Sequence, residues 1–141
     1  MKYRQLADTG VFVSELCLGT MTFGGRGQIW ETIGGLDQKA ADAIVHRALD
    51  AGINFMDTAD VYGTGESETM LGRALANRRH DVVLATKVRG RMGKEPNQVG
   101  LSRLHILEDK TTLDEVSKLT VEHPAWMDAL GSDRRPGEQR F

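Results

Sequence analysis

The chain of 141 residues has a single cysteine, Cys17, and therefore cannot form an internal disulfide. Disulfides are typical of secreted proteins and rare in the cytosol. No apolar run approaches the ~20 residues of a membrane-spanning helix, and the amino terminus lacks the pattern of a secretory signal peptide. We therefore expect a cytoplasmic protein without a membrane segment. Because Cys17 lies in the apolar run 16–18, we expect its thiol to be buried.

Neither sign of charge is in excess, with 18 Lys and Arg against 20 Asp and Glu and a net charge of −2. Nucleic-acid-binding domains usually have clustered basic residues, and long blocks of like charge are typical of disordered tails. The balance excludes neither a binding protein nor an enzyme, but it does not favour a nucleic-acid partner. The length is that of one domain.

The chain is organised around residues 52–72, which predict a strand, a polar loop and a helix in that order. Residues 53–56 are an apolar run too short for a helix, and they read as a buried strand. Asp57 ends this run, and Tyr62 follows five residues later. In a β/α barrel the chemistry lies where strands end and loops begin. Taken alone, this Asp and Tyr favour an ordinary strand end and a turn tyrosine.

The flanking segments repeat the alternation of strands and helices. The predicted elements are a hairpin at 1–14, strands at 15–20 and 81–87, a helix from Asp37 to Gly52, and a loop at 88–100. The second of these strands ends in Lys87. A strand followed by a helix, repeated along the chain, indicates parallel strands in an α/β fold.

A glycine-rich segment, residues 24–27, follows the first of these strands. A phosphate-binding loop is one interpretation, but no Gly-Lys-Ser/Thr follows and no Gly-x-Gly-x-x-Gly opens a helix. Trp30 comes next, in a predicted loop.

The central stretch resembles the aldo-keto reductase family. The residues that carry the resemblance are Gly52, Asn54, Asp57-Thr58-Ala59, Tyr62-Gly63, Gly65, Ser67-Glu68 and Leu71-Gly72. Residues 113–117 and 122–127 resemble the carboxyl terminus of the aryl-alcohol-dehydrogenase-like branch. The resemblance implies a (β/α)8 TIM barrel that reduces aldehydes and ketones to alcohols with NADPH.

The resemblance also implies roles for individual residues. Asp57, Tyr62 and Lys87 take the places of three catalytic residues in the family. The cofactor-binding residues are Gly19, Thr20, Met21 and Asp57, and the substrate-contacting residues are Trp30 and Tyr62. An ordinary packing role for Trp30 stays open. No metal ion is expected.

The implied chemistry needs an acid that protonates the carbonyl oxygen as the cofactor delivers a hydride. A phenol has a pKa of about 10, and a nearby ammonium lowers it by favouring the phenolate. Tyr62 as acid, Lys87 as its neighbour and Asp57 as partner of Lys87 form a coherent set. The family's fourth catalytic residue is a histidine that orients the carbonyl. None of the four histidines follows a strand in the corresponding place; they are His46, His80, His105 and His123.

A complete β/α barrel needs about 200 residues or more, so eight repeats do not fit in 141. We interpret residues 1–106 as the amino-terminal part of a barrel. Residues 107–130 are then a carboxyl-terminal family segment joined after a deletion near 106–110, and 131–141 a polar tail. The predicted fold is a partial barrel: an N-terminal hairpin, about three βα units, then C-terminal helical segments.

This shortage limits the expected function. We expect an NADPH-dependent oxidoreductase by resemblance, weak or inactive as this chain and with reduced affinity for NADPH. The alternative is a non-catalytic remnant that associates with itself or with a full-length relative through open strand edges.

Overall fold

The computed structural model describes residues 1–25 and 29–116. Its strands are β1 (Tyr3–Gln5), β2 (Phe12–Ser14), β3 (Leu18–Gly19), β4 (Phe55–Asp57) and β5 (Val83–Ala85). Its helices are α1 (Ile29–Ile33), α2 (Gln38–Asp50), α3 (Glu66–Leu75) and α4 (Arg103–Val116). Short 3₁₀ turns occupy Ala7–Thr9, Tyr62–Gly65 and Ala76–Asp81.

The predicted hairpin and the parallel strands are both confirmed. β1 and β2 pair antiparallel, and β3, β4 and β5 form a parallel sheet in that order. Gly19 pairs with Asp57, and Asp57 pairs with Ala85. The ladders cover only two or three residues, so these strands are shorter than the predicted ones. Their carboxyl ends nevertheless meet at one edge of the sheet.

Helices α2 and α3 cover one face of the sheet and enclose the core. Asp37 begins α2, since its carboxylate accepts a hydrogen bond from the Ala40 N–H at 2.8 Å. Gly52 follows the end of α2 with a φ of 85°, a left-handed conformation that glycine adopts readily. The buried core residues are Phe23, Ala41, Val45, Leu49, Met56, Met70, Leu71, Ala74, Leu75 and Val82.

The opposite face of the sheet is open among the described residues. Successive strand residues point to opposite faces. Met56 faces the helices and is fully buried, so Phe55 and Asp57 face the other side, where both are only half-buried. A complete barrel would enclose this face, but the described strands form no closed barrel. The fold is therefore the partial α/β barrel that the sequence predicts.

Helix α4 spans the point near 106–110 where the sequence analysis places a deletion. Ser102 caps it, since its hydroxyl accepts a hydrogen bond from the His105 N–H at 3.2 Å. The helix then runs without a break through 106–110 and packs on α3. At Gly72 of α3, a Cβ atom would lie 2.6 Å from the Val116 carbonyl oxygen. Glycine thus permits this close approach. The predicted family segment and tail beyond Val116 lie outside the described residues.

Two further predictions were wrong. Cys17 is exposed, not buried: Leu18 packs against the core, which directs the preceding side chain to the open face of the sheet. Trp30 lies in α1 rather than in a loop. No helix in the described part of the chain is long and apolar enough to cross a membrane.

Candidate active site

Three side chains converge at the carboxyl edge of the sheet. The Lys87 Nζ donates hydrogen bonds to Asp57 Oδ2 at 2.6 Å and to the Tyr62 hydroxyl at 3.2 Å. It also donates to the Thr58 carbonyl at 2.9 Å. The sequence singled out Asp57, Tyr62 and Lys87, and the fold brings all three together. Their catalytic roles stay a prediction.

The backbone around these residues is held by bonds between adjacent strand ends. The Thr58 N–H donates to the Ala85 carbonyl at 2.9 Å, and the Asp60 N–H donates to the Lys87 carbonyl at 3.0 Å. These bonds continue the β4–β5 pairing beyond the ladder. They align the loop before Tyr62 with the segment that carries Lys87.

A strained turn follows Tyr62 and leads into α3. Gly63, Thr64 and Gly65 all have positive φ values, of 58°, 55° and 86°. For a residue other than glycine the left-handed conformation costs about 1–2 kcal/mol. Thr64 therefore stores strain two residues after Tyr62. Such strain is often found next to functional side chains.

The electrostatics of the site keep Lys87 charged. Desolvation acts to lower the pKa of Lys87, but the hydrogen bonds to Asp57 and Tyr62 outweigh it, and the pKa is raised above its ordinary value. The ammonium also lies 4.9 Å from the centre of the Tyr62 ring. A protonated lysine therefore faces the Tyr62 hydroxyl at neutral pH.

The residues predicted to contact substrate are in mutual contact. The rings of Trp30 and Tyr62 pack edge to face, with centres 5.6 Å apart and planes at 61°. Trp30 is half-buried. The indole thus packs against the phenol that carries the candidate proton donor.

The residues predicted to bind cofactor differ in accessibility. Gly19 is exposed, and no atom lies within 4 Å of the place where a Cβ would stand. Met21 is 43% exposed. Thr20, in contrast, is fully buried, and its hydroxyl oxygen lies 2.8 Å from Ser67 Oγ. Gly19 and Met21 flank the site at the surface, whereas the Thr20 side chain is engaged inside the protein.

Sequence reasoning missed the structural role of two polar residues in the first turn of α3. The buried Ser67 hydroxyl donates to the Thr20 carbonyl at 2.8 Å, which joins the end of β3 to α3. Glu68, 2% exposed, accepts a hydrogen bond from Thr86, the neighbour of Lys87. Burial raises the pKa of Glu68 to about 7, against the opposing effect of the Thr86 hydrogen bond. The signal in the sequence was the position of Ser67 and Glu68 in the same short helix as the apolar Met70 and Leu71, which predicts that they are buried.

A second missed feature is a buried pair formed by Asp60 and His105. Asp60 Oδ2 and His105 Nε2 are 3.6 Å apart, and the side chains are 2% and 5% exposed. Burial raises the pKa of Asp60, although the Val61 N–H and the His105 charge act to lower it. Among the described residues, no group of three or more His, Cys, Asp or Glu is arranged to hold a metal ion.

Comparison with known proteins agrees with this arrangement. The sequence model of the aldo/keto reductase family matches residues 15–115, which include β3 to β5 and all three converging residues. The chain belongs to the aldo/keto reductase family.

Three similar proteins illustrate the range of the family. A probable voltage-gated potassium channel subunit beta from Oryza sativa subsp. japonica is 41% identical over 112 residues, covering 77% of this chain and 31% of the relative. Aldo-keto reductase YhdN of Bacillus subtilis is 43% identical over 89 residues, covering 62% of this chain and 25% of YhdN. The holo form of an aldo-keto reductase from Bacillus halodurans superposes with a TM-score of 0.66 at 36% identity, over 84% of this chain and 37% of that structure. The chain thus spans about a quarter to a third of the curated relatives.

Proposed function

We propose that this chain carries part of an aldo-keto reductase active site that reduces aldehydes or ketones to alcohols with NADPH. The observation that carries the proposal is the Lys87 ammonium, which bridges Asp57 and the Tyr62 hydroxyl at the carboxyl edge of the sheet. This edge is where β/α barrels hold their catalytic residues.

Each of the three residues has a role that follows from its contacts. Tyr62 donates a proton from its hydroxyl to the carbonyl oxygen of the substrate. Lys87 stabilises the phenolate that remains, because its ammonium lies 3.2 Å from the phenol oxygen. Asp57 holds the ammonium in place through its 2.6 Å hydrogen bond. NADPH, when bound, supplies the hydride.

The residues around the site are compatible with this cofactor and substrate. Gly19 and Met21 are accessible beside Asp57, so they leave room for the nicotinamide end of NADPH. Trp30 and Tyr62 offer an aromatic wall for a carbonyl compound. A cytoplasmic location, where NADPH is present, accords with these assignments.

We expect turnover well below that of a complete relative. The chain matches only a quarter to a third of its curated relatives, and the described sheet has three parallel strands. Binding energy from remote parts of a ligand is what positions its reacting centre. A cofactor with few remote contacts is poorly positioned.

The test combines cofactor binding with reduction of 4-nitrobenzaldehyde. NADPH is titrated while its fluorescence is followed, and turnover is compared between the parent, Tyr62→Phe and Tyr3→Phe. Because general acid catalysis contributes about 10²–10⁴-fold, Tyr62→Phe should remove most of the activity. Tyr3→Phe is the matched control, since it removes a phenol hydroxyl that donates to the Gly52 carbonyl. Equal activity in all three proteins, or no saturable NADPH binding, contradicts the proposal.

A second candidate function is self-association through the open sheet. It is favoured by one observation: β3 and β5 each have a single neighbour among the described strands, beside a half-buried open face. Open edges of this kind accept a further strand. A chain that forms stable dimers but binds no NADPH would support this function over catalysis.

A further inference from the structure

The buried pair of Asp60 and His105 lies directly behind the candidate active site. Asp60 Oδ2 and His105 Nε2 face each other at 3.6 Å, and neither atom has a hydrogen-bond partner within the described residues. The other oxygen of Asp60 accepts from the Val61 N–H at 2.5 Å. A buried carboxylate with so few bonds is costly. Its attraction to the imidazole is therefore its main interaction across elements.

The pair joins two parts of the fold that are far apart in sequence. Asp60 stands in the loop between β4 and α3, two residues before Tyr62, and His105 lies in the first turn of α4. The Asp60 backbone N–H donates to the Lys87 carbonyl at 3.0 Å. One residue thus connects α4, through its side chain, to the Lys87 segment, through its backbone.

Two further carboxylates face the pair. Glu68 of α3 and Asp109, one turn after His105 in α4, both have a pKa raised first by desolvation and further by the charge of Asp60. The charge of His105 acts to lower the pKa of both Asp60 and Asp109. Loss of His105 would leave Asp60 beside like charges and would favour movement of its loop.

We propose that Asp60 and His105 are positioning residues that hold the loop carrying Tyr62 at its short distance from Lys87. This inference rests on the proposed function, in which Tyr62 and Lys87 act as a unit. It assigns no direct contact with substrate or cofactor to either residue. The pair acts by fixing the backbone on both sides of the Lys87–Tyr62 contact.

The experiment reads the Lys87–Tyr62 contact without turnover or cofactor. Only two tyrosines occur in the chain, so a Tyr3→Phe background makes Tyr62 the single phenol. Its ionisation is followed by the ultraviolet absorbance of the phenolate as pH is raised. Lys87→Met is the reference, and it should move the midpoint upward, because it removes the ammonium 3.2 Å from the phenol oxygen.

Asp60→Ala and His105→Ala should each move the midpoint in the same direction by a smaller amount. The double variant should move it no further than either single one, because both remove the same contact. His105→Gln retains a donor near Asp60 and should restore part of the effect. Leu113→Ala is the matched control: it truncates a buried side chain of α4 about two turns after His105 and should leave the midpoint unchanged. Urea unfolding of every variant separates positioning from general loss of stability.

Three results overturn the proposal. Midpoints of the Asp60 and His105 variants equal to the parent, with a shift in Lys87→Met, would reject the positioning role and leave the proposed function intact. A shift in Leu113→Ala as large as in the pair variants would mean that only α4 stability matters. No shift in Lys87→Met would reject the Lys87–Tyr62 unit itself, and both proposals with it. If the alanine variants do not fold, Asp60→Asn and His105→Leu carry the same comparison.

Discussion

The Lys87 ammonium and the Asp57 carboxylate lie 2.6 Å apart at the edge of the sheet, with side chains 51% and 37% exposed. Because the pair is exposed, its effect on stability differs from its effect on the site. An exposed ion pair contributes about 0–1 kcal/mol to stability. The same pair orients the ammonium toward Tyr62, so we expect its importance to lie in the site rather than in the fold.

Replacing Asp57 by Asn should therefore lower activity with little change in stability. We expect reduction of 4-nitrobenzaldehyde, measured at high protein concentration, to fall on the order of 10-fold, which equals about 1.4 kcal/mol of transition-state stabilisation. The free energy of unfolding should change by less than about 1 kcal/mol. Asp114→Asn, which breaks the exposed Lys110–Asp114 pair, is the control and should change neither. Equal turnover in both variants would remove Asp57 from the mechanism.

Glu68 should make stability depend on pH. Its pKa rises from an ordinary 4.5 to about 7 in the fold, so between these values the folded chain binds more protons than the unfolded one. Ionisation of Glu68 therefore leaves the free energy of unfolding unchanged below pH 4.5 and lowers it as pH rises through 7. Glu68→Gln should match the parent at low pH and exceed its stability by at most about 3 kcal/mol above pH 7. Parallel stability curves in urea titrations across this range would contradict the prediction.

Gly72→Ala should displace or destabilise α4. Alanine favours a helix by about 0.5–1 kcal/mol over glycine, but its Cβ would lie 2.6 Å from the Val116 carbonyl oxygen. We expect faster amide exchange in α4 by hydrogen exchange, with α3 itself unchanged. Arg73→Ala, at an exposed neighbouring position, is the control. Unchanged protection in α4 would show that α4 does not pack this closely on α3 in solution.

The open sheet should favour association at high concentration. Val83 lies half-buried on the edge strand β5, and lysine on an edge strand opposes pairing. Val83→Lys should shift sedimentation velocity profiles toward monomer. Phe12→Lys, a similar change at a 60% exposed hairpin position, should leave the distribution as in the parent. A parent that is monomeric at every concentration would exclude self-association.

The inferred deletion predicts that the native transcript encodes a longer chain than these 141 residues. Residues 106–110 lie inside one continuous helix, and no fourth parallel strand follows it among the described residues. We expect the native transcript, sequenced over its full length, to encode further residues at this point. A transcript that encodes residues 106–110 contiguously would place the shortening in the gene itself.

Much of the fold follows from local patterns. The Asp37 cap, the hairpin around Gly10 and the βα order each depend on neighbouring residues, and each was predictable. The inference from strand ends to a shared edge also succeeded for Asp57, Tyr62 and Lys87, because parallel strands align their carboxyl ends. The exposure of Cys17 was not predictable in this way, since it depends on which face of the sheet the rest of the chain covers.

By itself the sequence determined the alternation of strands and helices, the family, and which three residues meet at the sheet edge. These follow from short-range periodicity and from motif spacing, both of which are properties of contiguous residues. Only the tertiary structure decided that α4 is continuous, that Glu68 bonds to Thr86, and that Asp60 faces His105. Each of these depends on burial and on contacts between distant segments, and a buried charge acquires its partner only when the chain has folded.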